Sequence, residues 1–193
     1  MKAVEEKIKQ EGKVYPGNVL KVSSFLNQQI DVDFVTNVIA KEFFERFKNE
    51  NITKIVTIEA SGITVAFAAA QYFNVPVVFA KKSVSINIDN DNCYNAQIHS
   101  YTHGNDYTAR IEKDFLSADD TVLIIDDFLA TGEALIGLLD IIKSAGATCA
   151  GCGVVVEKAF QFGGKKLRNM GINLQSLARV SKMDEDGNIE FTE

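Results

Sequence analysis

Apolar residues recur along this chain with two different periods, one typical of helices and the other typical of strands. In residues 31–50 an apolar side chain stands at every fourth position from Val35 onward, which predicts an amphipathic helix. Residues 62–73 are apolar and rich in alanine, and residues 133–146 carry an apolar stripe that ends at a glycine. Both segments are therefore predicted to be helices as well.

Short runs of β-branched and aliphatic residues alternate with these helices and predict the strands of a sheet. The predicted strands are residues 52–59, 75–80, 121–126, 147–158 and 173–180. Strands that alternate with helices favour a mostly parallel sheet covered by helices on both faces. Ligands of such sheets bind beyond the carboxyl ends of the strands, so the residues after each strand are the first candidates for a site.

The polar region between the second and third of these strands does not follow the alternation. Apolar residues alternate in it only at Ile86 and Ile88 and again at residues 98–101. We expect a long excursion from the sheet, formed as an irregular hairpin with a mobile tip.

Composition and charge indicate one soluble globular domain of 193 residues, 46% of them hydrophobic. No apolar run approaches the roughly 20 residues of a membrane helix, and the charged N-terminal segment does not resemble a signal peptide. The net charge of −6 argues against broad attraction to nucleic acids or anionic membranes. We expect a cytoplasmic protein whose partners include neither nucleic acid nor a membrane.

The three cysteines are too few for a disulfide framework and indicate reduced thiols. Cys149 and Cys152 have the spacing of a redox or zinc motif. They lie in a predicted strand, however, where residues three apart face opposite sides. Two separate buried thiols are therefore predicted.

Two adjacent acids, Asp126 and Asp127, stand where the predicted strand 121–126 ends. Like charges repel, and burying either one is costly without a partner. Ribose hydroxyls or Mg²⁺ would satisfy them, although paired acids at a strand end can also be solvated turn residues. The small residues at 130–132 and the helix that follows form a phosphate site without the lysine of an ATP-binding loop.

The stretch VLIIDDFLATGEA resembles the phosphoribosyl pyrophosphate motif of type I phosphoribosyltransferases. The resemblance implies that Asp126 and Asp127 hold the ribose hydroxyls and meet Mg²⁺ only indirectly, through them. It also implies a 5′-phosphate loop at residues 130–134. The residues of that loop are Ala130, Thr131, Gly132, Glu133 and Ala134.

Two further strand ends and the polar excursion carry residues that match this family. The turn after strand 52–59 is implied to be the pyrophosphate loop, often with a cis peptide bond, although an ordinary strand–helix turn would look the same. Its residues are Glu59, Ala60, Ser61 and Gly62. Lys81 is the first of two adjacent lysines, Lys81 and Lys82. The resemblance implies that it binds pyrophosphate and that it also reaches across a dimer interface. Ser100 and Tyr101 resemble the Ser–Tyr pair of the flexible catalytic loop.

The residues after strand 147–158 suggest a base site, because Lys158 offers only donors and suits a 6-oxopurine rather than adenine. Phe160 could stack on the base. The segment VLKVSSFLNQQID resembles the hood of the bacterial xanthine phosphoribosyltransferase family, in which Leu20 and Asn27 contact the base together with Lys158. Gln28 stands where that family usually has histidine, which leaves the preference between xanthine and guanine open.

The resemblance implies an α/β protein with the type I phosphoribosyltransferase fold, in one domain over residues 1–193. A small hood is expected from residues 1–30 and 160–193, and a flexible loop from 83–110. The implied reaction joins xanthine to phosphoribosyl pyrophosphate with Mg²⁺, in a homodimer. Two alternatives remain: a guanine/hypoxanthine transferase, and a non-catalytic regulator that senses phosphoribosyl pyrophosphate.

Overall fold

The computed structural model describes residues 1–83, 92–100, 105–184 and 186–193. The helices are α1 (Lys2–Glu11), α2 (Lys41–Phe47), α3 (Gly62–Phe73), α4 (Glu133–Ser144) and α5 (Gly163–Asn169). Residues Ser23–Asn27 and Phe34–Ala40 have π-helical hydrogen bonding, and the second segment continues directly into α2; Lys113–Phe115 is a 3₁₀ turn. Within the described ranges, no helix is both long and apolar enough to cross a membrane.

The strands form a small hairpin and one large sheet. They are β1 (Lys13–Tyr15), β2 (Val19–Lys21), β3 (Lys54–Ile58), β4 (Val77–Ser83), β5 (Cys93–Ser100), β6 (Asn105–Glu112), β7 (Thr121–Leu129), β8 (Thr148–Lys158), β9 (Leu174–Met183) and β10 (Ile189–Phe191). The hairpin pairs β1 with β2, and the sheet has the order β10-β9-β8-β7-β3-β4-β6-β5.

The five central strands of the sheet, β9-β8-β7-β3-β4, are parallel, and the strands outside them are antiparallel. The prediction of a mostly parallel sheet is therefore confirmed. The expected irregular hairpin is instead regular, since β5 and β6 pair continuously from Cys93–Glu112 to Ser100–Asn105. Its tip, and the predicted alternation at Ile86 and Ile88, lie outside the described residues.

Strand β7 shows how the sheet separates two hydrophobic cores. Successive side chains of a strand point to opposite faces. Leu123 and Ile125 join the core that includes side chains of α1 and α3, whereas Val122 and Ile124 join the core under α4. A continuous apolar run is what a strand buried on both faces requires.

Strand β8 has two features that shape the packing beside it. A Cβ on Gly153 would lie 2.7 Å from the Phe43 ring, so the missing side chain lets this ring pack on the sheet. Ala150 has no partner in the register with β7, where a bulge intervenes. The bulge places Cys149 and Cys152 against the same core, and the Cys149 thiol donates a hydrogen bond to the carbonyl of Gly151 at 3.6 Å. The prediction that they face opposite sides was wrong.

Candidate functional site

The acid pair lies inside β7 rather than after it. The strand continues to Leu129 and pairs with β8 through that residue, so the predicted end at residue 126 was three residues too early. Asp126 and Asp127 are nonetheless close to the carboxyl end of a central strand, and both are almost completely buried. The loop Glu59–Gly62 follows the neighbouring strand β3 and lies beside them.

Each carboxylate oxygen of Asp127 accepts a hydrogen bond from another segment of the chain. Asn27 Nδ2 donates to Oδ2 at 2.5 Å, and Ser61 Oγ donates to Oδ1 at 2.9 Å. The structure thus brings together Asn27, which was expected at the base, Ser61, which was expected at the pyrophosphate, and the acid Asp127.

Asp126 lies beside Asp127 and is equally buried. Burial raises the pKa of Asp126 well above its usual value, and the neighbouring Asp127 raises it further. Its Oδ1 accepts the backbone N–H of Asp127 at 3.0 Å. A Cβ on Gly62 would lie 2.6 Å from the same oxygen, so a glycine at this position is what allows the loop to approach the acid. Burial therefore favours the neutral acid form of Asp126 more than it would be favoured in an exposed aspartate.

The loop from Glu59 to Gly62 is anchored to the next strand. The peptide bond between Glu59 and Ala60 is cis, as the resemblance implied. The Glu59 carboxylate accepts the backbone N–H of Lys82 at 2.5 Å. Ala60 and Ser61 are left exposed at the carboxyl edge of the sheet, where a ligand can reach them.

The loop at residues 130–134 has the geometry of an anion site. Gly132 takes a positive φ of 89° and caps the N-terminus of α4, whose first N–H groups have no partner within the helix. The loop lines a cavity of about 130 Å³ together with His99 and Tyr107. Glu133, which also lines the cavity, pairs with Lys166 at 3.3 Å and offers no donor from its side chain. Backbone N–H groups are therefore the main donors that the loop can offer.

Helix α5 supports the same loop from behind. A Cβ on Gly163 would lie 2.3 Å from the carbonyl oxygen of Ala130 and 2.7 Å from the backbone nitrogen of Gly132. The helix is tied to β8 through Glu157, which Arg168 contacts with two hydrogen bonds of 2.8 and 2.7 Å. Glu157, Arg168 and Gly163 were not singled out from the sequence. No local signal marks them, because their partners are distant along the chain.

The structure separates the two lysines at the end of β4. The Lys82 ammonium lies 5.1 Å from the centre of the Tyr107 ring, and its charge acts on Asp126. Lys81, which the sequence favoured, instead lines a second and mostly apolar cavity of about 530 Å³ with Phe79 and Phe115. Within one chain, Lys82 is therefore the lysine directed at the acid pair. Because successive side chains of a strand face opposite sides, the sequence alone predicts that these two adjacent lysines point in different directions.

The residues expected at the base are spread around the end of β8. Lys158 Nζ donates to the carbonyl of Asn18 at 2.9 Å, and burial lowers the pKa of this lysine. Phe160 is 39% exposed and free to stack. Leu20 is buried, so contact with a base would come mainly from its backbone. Lys158 thus bridges from the sheet to the hairpin that carries Leu20.

The Ser–Tyr pair of the expected flexible loop is only partly covered by the structure. Ser100 is the last residue of β5, and its side chain is not described. Tyr101 lies outside the described residues.

Comparison with known proteins identifies relatives over almost the whole chain. A family model described as a phosphoribosyl transferase domain matches residues 21–184. The xanthine phosphoribosyltransferase of Lachnoclostridium phytofermentans is 53% identical over 99% of this chain and 98% of its own length. That of Ruminiclostridium cellulolyticum is 51% identical over the full length of both. Among solved structures, the adenine phosphoribosyltransferase of Giardia lamblia complexed with 9-deazaadenine has a TM-score of 0.76 at 22% identity, covering 93% of this chain and 98% of that one.

Proposed function

This chain belongs to the phosphoribosyl transferase family, and we propose that it transfers the phosphoribosyl group of phosphoribosyl pyrophosphate to xanthine. The likeness to solved structures confirms the predicted type I phosphoribosyltransferase fold. We choose xanthine because about half of the residues, over the full length, are identical to those of proteins named for that base. The products are xanthosine monophosphate and pyrophosphate, a step of purine salvage.

The proposed site for phosphoribosyl pyrophosphate, the donor substrate, combines the two loops with the acid pair. Residues 130–134 bind the 5′-phosphate through backbone N–H groups, and Glu59–Gly62 bind the pyrophosphate. Asp126 and Asp127 accept the ribose hydroxyls, and one of them stabilises the positive charge that develops on the ribose as pyrophosphate leaves. The reaction then needs no protein nucleophile, because the chain positions the two substrates against each other.

The acid pair fits Mg²⁺ in an indirect role. Asp126 and Asp127 are only 5% and 6% exposed, so the ribose hydroxyls of the bound substrate are better suited to contact them than a hydrated ion. The described residues hold no cluster of three or more His, Cys, Asp or Glu that could ligate a metal. When bound with the donor, Mg²⁺ neutralises the pyrophosphate and makes it a better leaving group. The two acids would meet the ion through the ribose hydroxyls.

The base is proposed to lie between the end of β8 and the hood. Lys158 donates to the 6-oxo group, Phe160 stacks on the ring, and Asn27 and the Leu20 backbone contact the other edge. Burial has already removed part of the hydration of Lys158, which strengthens a hydrogen bond from its ammonium group. Contacts of Ser100 and Tyr101 with the substrates, which the resemblance implies, are also part of the proposal.

A homodimer is proposed from the apolar cavity that Lys81 lines. Phe115 is 53% exposed and Phe79 is 40% exposed beside it, on a surface that a second copy would cover. Lys81 would then lie at the interface, within reach of the partner's site. We expect Phe115→Asp to shift the protein to a monomer in light scattering, whereas Met170→Asp, at an equally exposed position, should leave the dimer intact. A dimer that survives Phe115→Asp would refute this interface.

A cytoplasmic location is also part of the proposal. Cys93, Cys149 and Cys152 are all free thiols, which fits a reducing compartment.

The experiment that tests the function measures pyrophosphate release with the donor, Mg²⁺ and each of xanthine, guanine, hypoxanthine and adenine. We expect the highest kcat/KM with xanthine and none measurable with adenine. A preference for guanine or hypoxanthine would favour the related transferase. No turnover with any base, together with retention on heparin, would favour the regulator.

The role of Lys158 has a separate test in the same assay. Lys158→Ala should raise the KM for xanthine far more than the KM for the donor, because only the base loses a hydrogen bond. Lys182→Ala, which changes an exposed lysine of β9, is the matched control. Equal increases in both KM values would contradict a base contact.

A further inference from the structure

Asp127 is closed off in the structure by the residue expected to bind the base. It is only 6% exposed, and the Asn27 amide donates to one of its oxygens across 100 residues of sequence. Ser61 Oγ holds the other oxygen. A ribose hydroxyl can therefore reach this carboxylate only when the Asn27 amide or the Ser61 hydroxyl moves aside.

Asn27 is better placed to move than its neighbours. It is the last residue of the π-helical turn Ser23–Asn27 and is exposed. Phe25 and Leu26 of the same turn are buried in the core. Rotation about the Asn27 side-chain torsions can thus free the amide while the buried part of the turn stays in place.

The proposed function requires the amide and the carboxylate to have different partners in the two-substrate complex. The donor brings ribose hydroxyls to Asp127, and the base needs the Asn27 amide. The bond between Asn27 and Asp127 satisfies both groups before either substrate arrives, so a buried carboxylate is not left without a donor.

We propose that Asn27 is a latch, which occupies Asp127 in the free protein and is released toward the purine when ribose hydroxyls take its place. This inference rests on the proposed function and adds a coupling between the two substrates. Donor binding breaks the latch and prepares Asn27 for the base. By linkage, base binding must favour donor binding by the same factor.

The test is isothermal titration of the donor with Mg²⁺ into the protein without base. Asn27→Ala removes the latch, so the donor should bind about tenfold more tightly, because a hydrogen bond to a carboxylate no longer has to be broken. A residue that only contacts the base would leave this affinity unchanged, and a structural residue would weaken it. Asn37→Ala removes a similar 2.6 Å bond to Asp33 on the surface and should change nothing.

A second measurement follows the coupling itself. Ribose 5-phosphate has the hydroxyls and the phosphate of the donor but no leaving group, so it can be combined with xanthine without reaction. It should increase xanthine affinity in the wild type and not in Asn27→Ala. Asn27→Ser, whose side chain is too short to span the same distance, replaces the alanine variant if that protein does not fold.

The outcomes separate the latch from the proposed function. Unchanged or weaker donor binding by a folded Asn27 variant would overturn the latch alone. A wild type that binds neither the donor nor xanthine would overturn the proposed function and the latch with it.

Discussion

The buried carboxylate of Glu157 offers the sharpest test of how the site is supported. It is 1% exposed and accepts four hydrogen bonds, two from Arg168, one from Ser176 at 2.5 Å and one from Arg179 at 3.2 Å. Arg168→Met keeps most of the side-chain volume but removes both bonds from α5. The variant should unfold more easily, because part of a buried charge loses its donors.

The expected loss follows from the donors that remain. Breaking a buried ion pair completely costs about 3–5 kcal/mol, but Ser176 and Arg179 still contact Oε2. We therefore expect about 2–3 kcal/mol. For a chain of this size that corresponds to a fall in Tm of roughly 5–10 °C.

The loss should also depend on pH. Burial raises the pKa of Glu157, but the bonds from Arg168 and Ser176 outweigh burial and leave this pKa below its usual value. The pairing therefore stabilises the fold above the unfolded pKa of about 4.3 and is lost as the pH falls through the folded pKa. The difference in unfolding free energy between Arg168→Met and the wild type should therefore become smaller as the pH falls.

The assay is urea unfolding at pH 7 and near pH 4, with two comparison variants. Arg46→Met breaks a more exposed pair with Glu42 and should cost less than about 1 kcal/mol. Combining Glu157→Gln with Arg168→Met removes the charge and should recover part of the loss. A double variant less stable than Arg168→Met, or a loss under about 1 kcal/mol in Arg168→Met at pH 7, would refute the reasoning.

Three further predictions concern the site and the core. Asp126→Asn should raise Tm above pH 7 and not near pH 4. Because the folded protein raises the pKa of Asp126, the wild type loses folding stability as the pH rises and this acid ionises, whereas asparagine stays neutral. Gly163→Ala should raise the KM for the donor about tenfold relative to that for xanthine, since overpacking costs ~1–3 kcal/mol. Gly171→Ala has open space but strains a backbone with a φ of 79°, so it should lower Tm without changing the KM ratio. Gly153→Ala should lower Tm through contact with the Phe43 ring, and Phe43→Leu should relieve part of this loss.

The central sheet and the turn from β7 into α4 were predictable because their signals are local. The apolar run before Asp126 is continuous over residues that must face two cores, and the small residues at 130–132 stand directly before a helix. The end of β7 was less predictable, since an apolar run ends where burial ends, whereas a strand ends where pairing with β8 stops at Leu129.

Features that depend on distant partners could not be predicted from the sequence. The bulge at Ala150 changes the faces of Cys149 and Cys152, and it is set by the register with β7 rather than by the cysteines themselves. The bond between Asn27 and Asp127 joins positions 100 residues apart. Side-chain periodicity along one strand carries no information on either.

The strand order has a consequence for how such a protein can change its substrate. Strands β7 and β3 occupy the middle of the sheet, with three strands on either side of the pair, and the loops proposed for the sugar phosphate follow them directly. The groups proposed for the base come from the N-terminal hairpin, the turn after it and the end of β8. Replacing the hairpin and the turn after it can therefore alter which ring is accepted while the proposed sugar-binding centre in the middle of the sheet keeps its geometry.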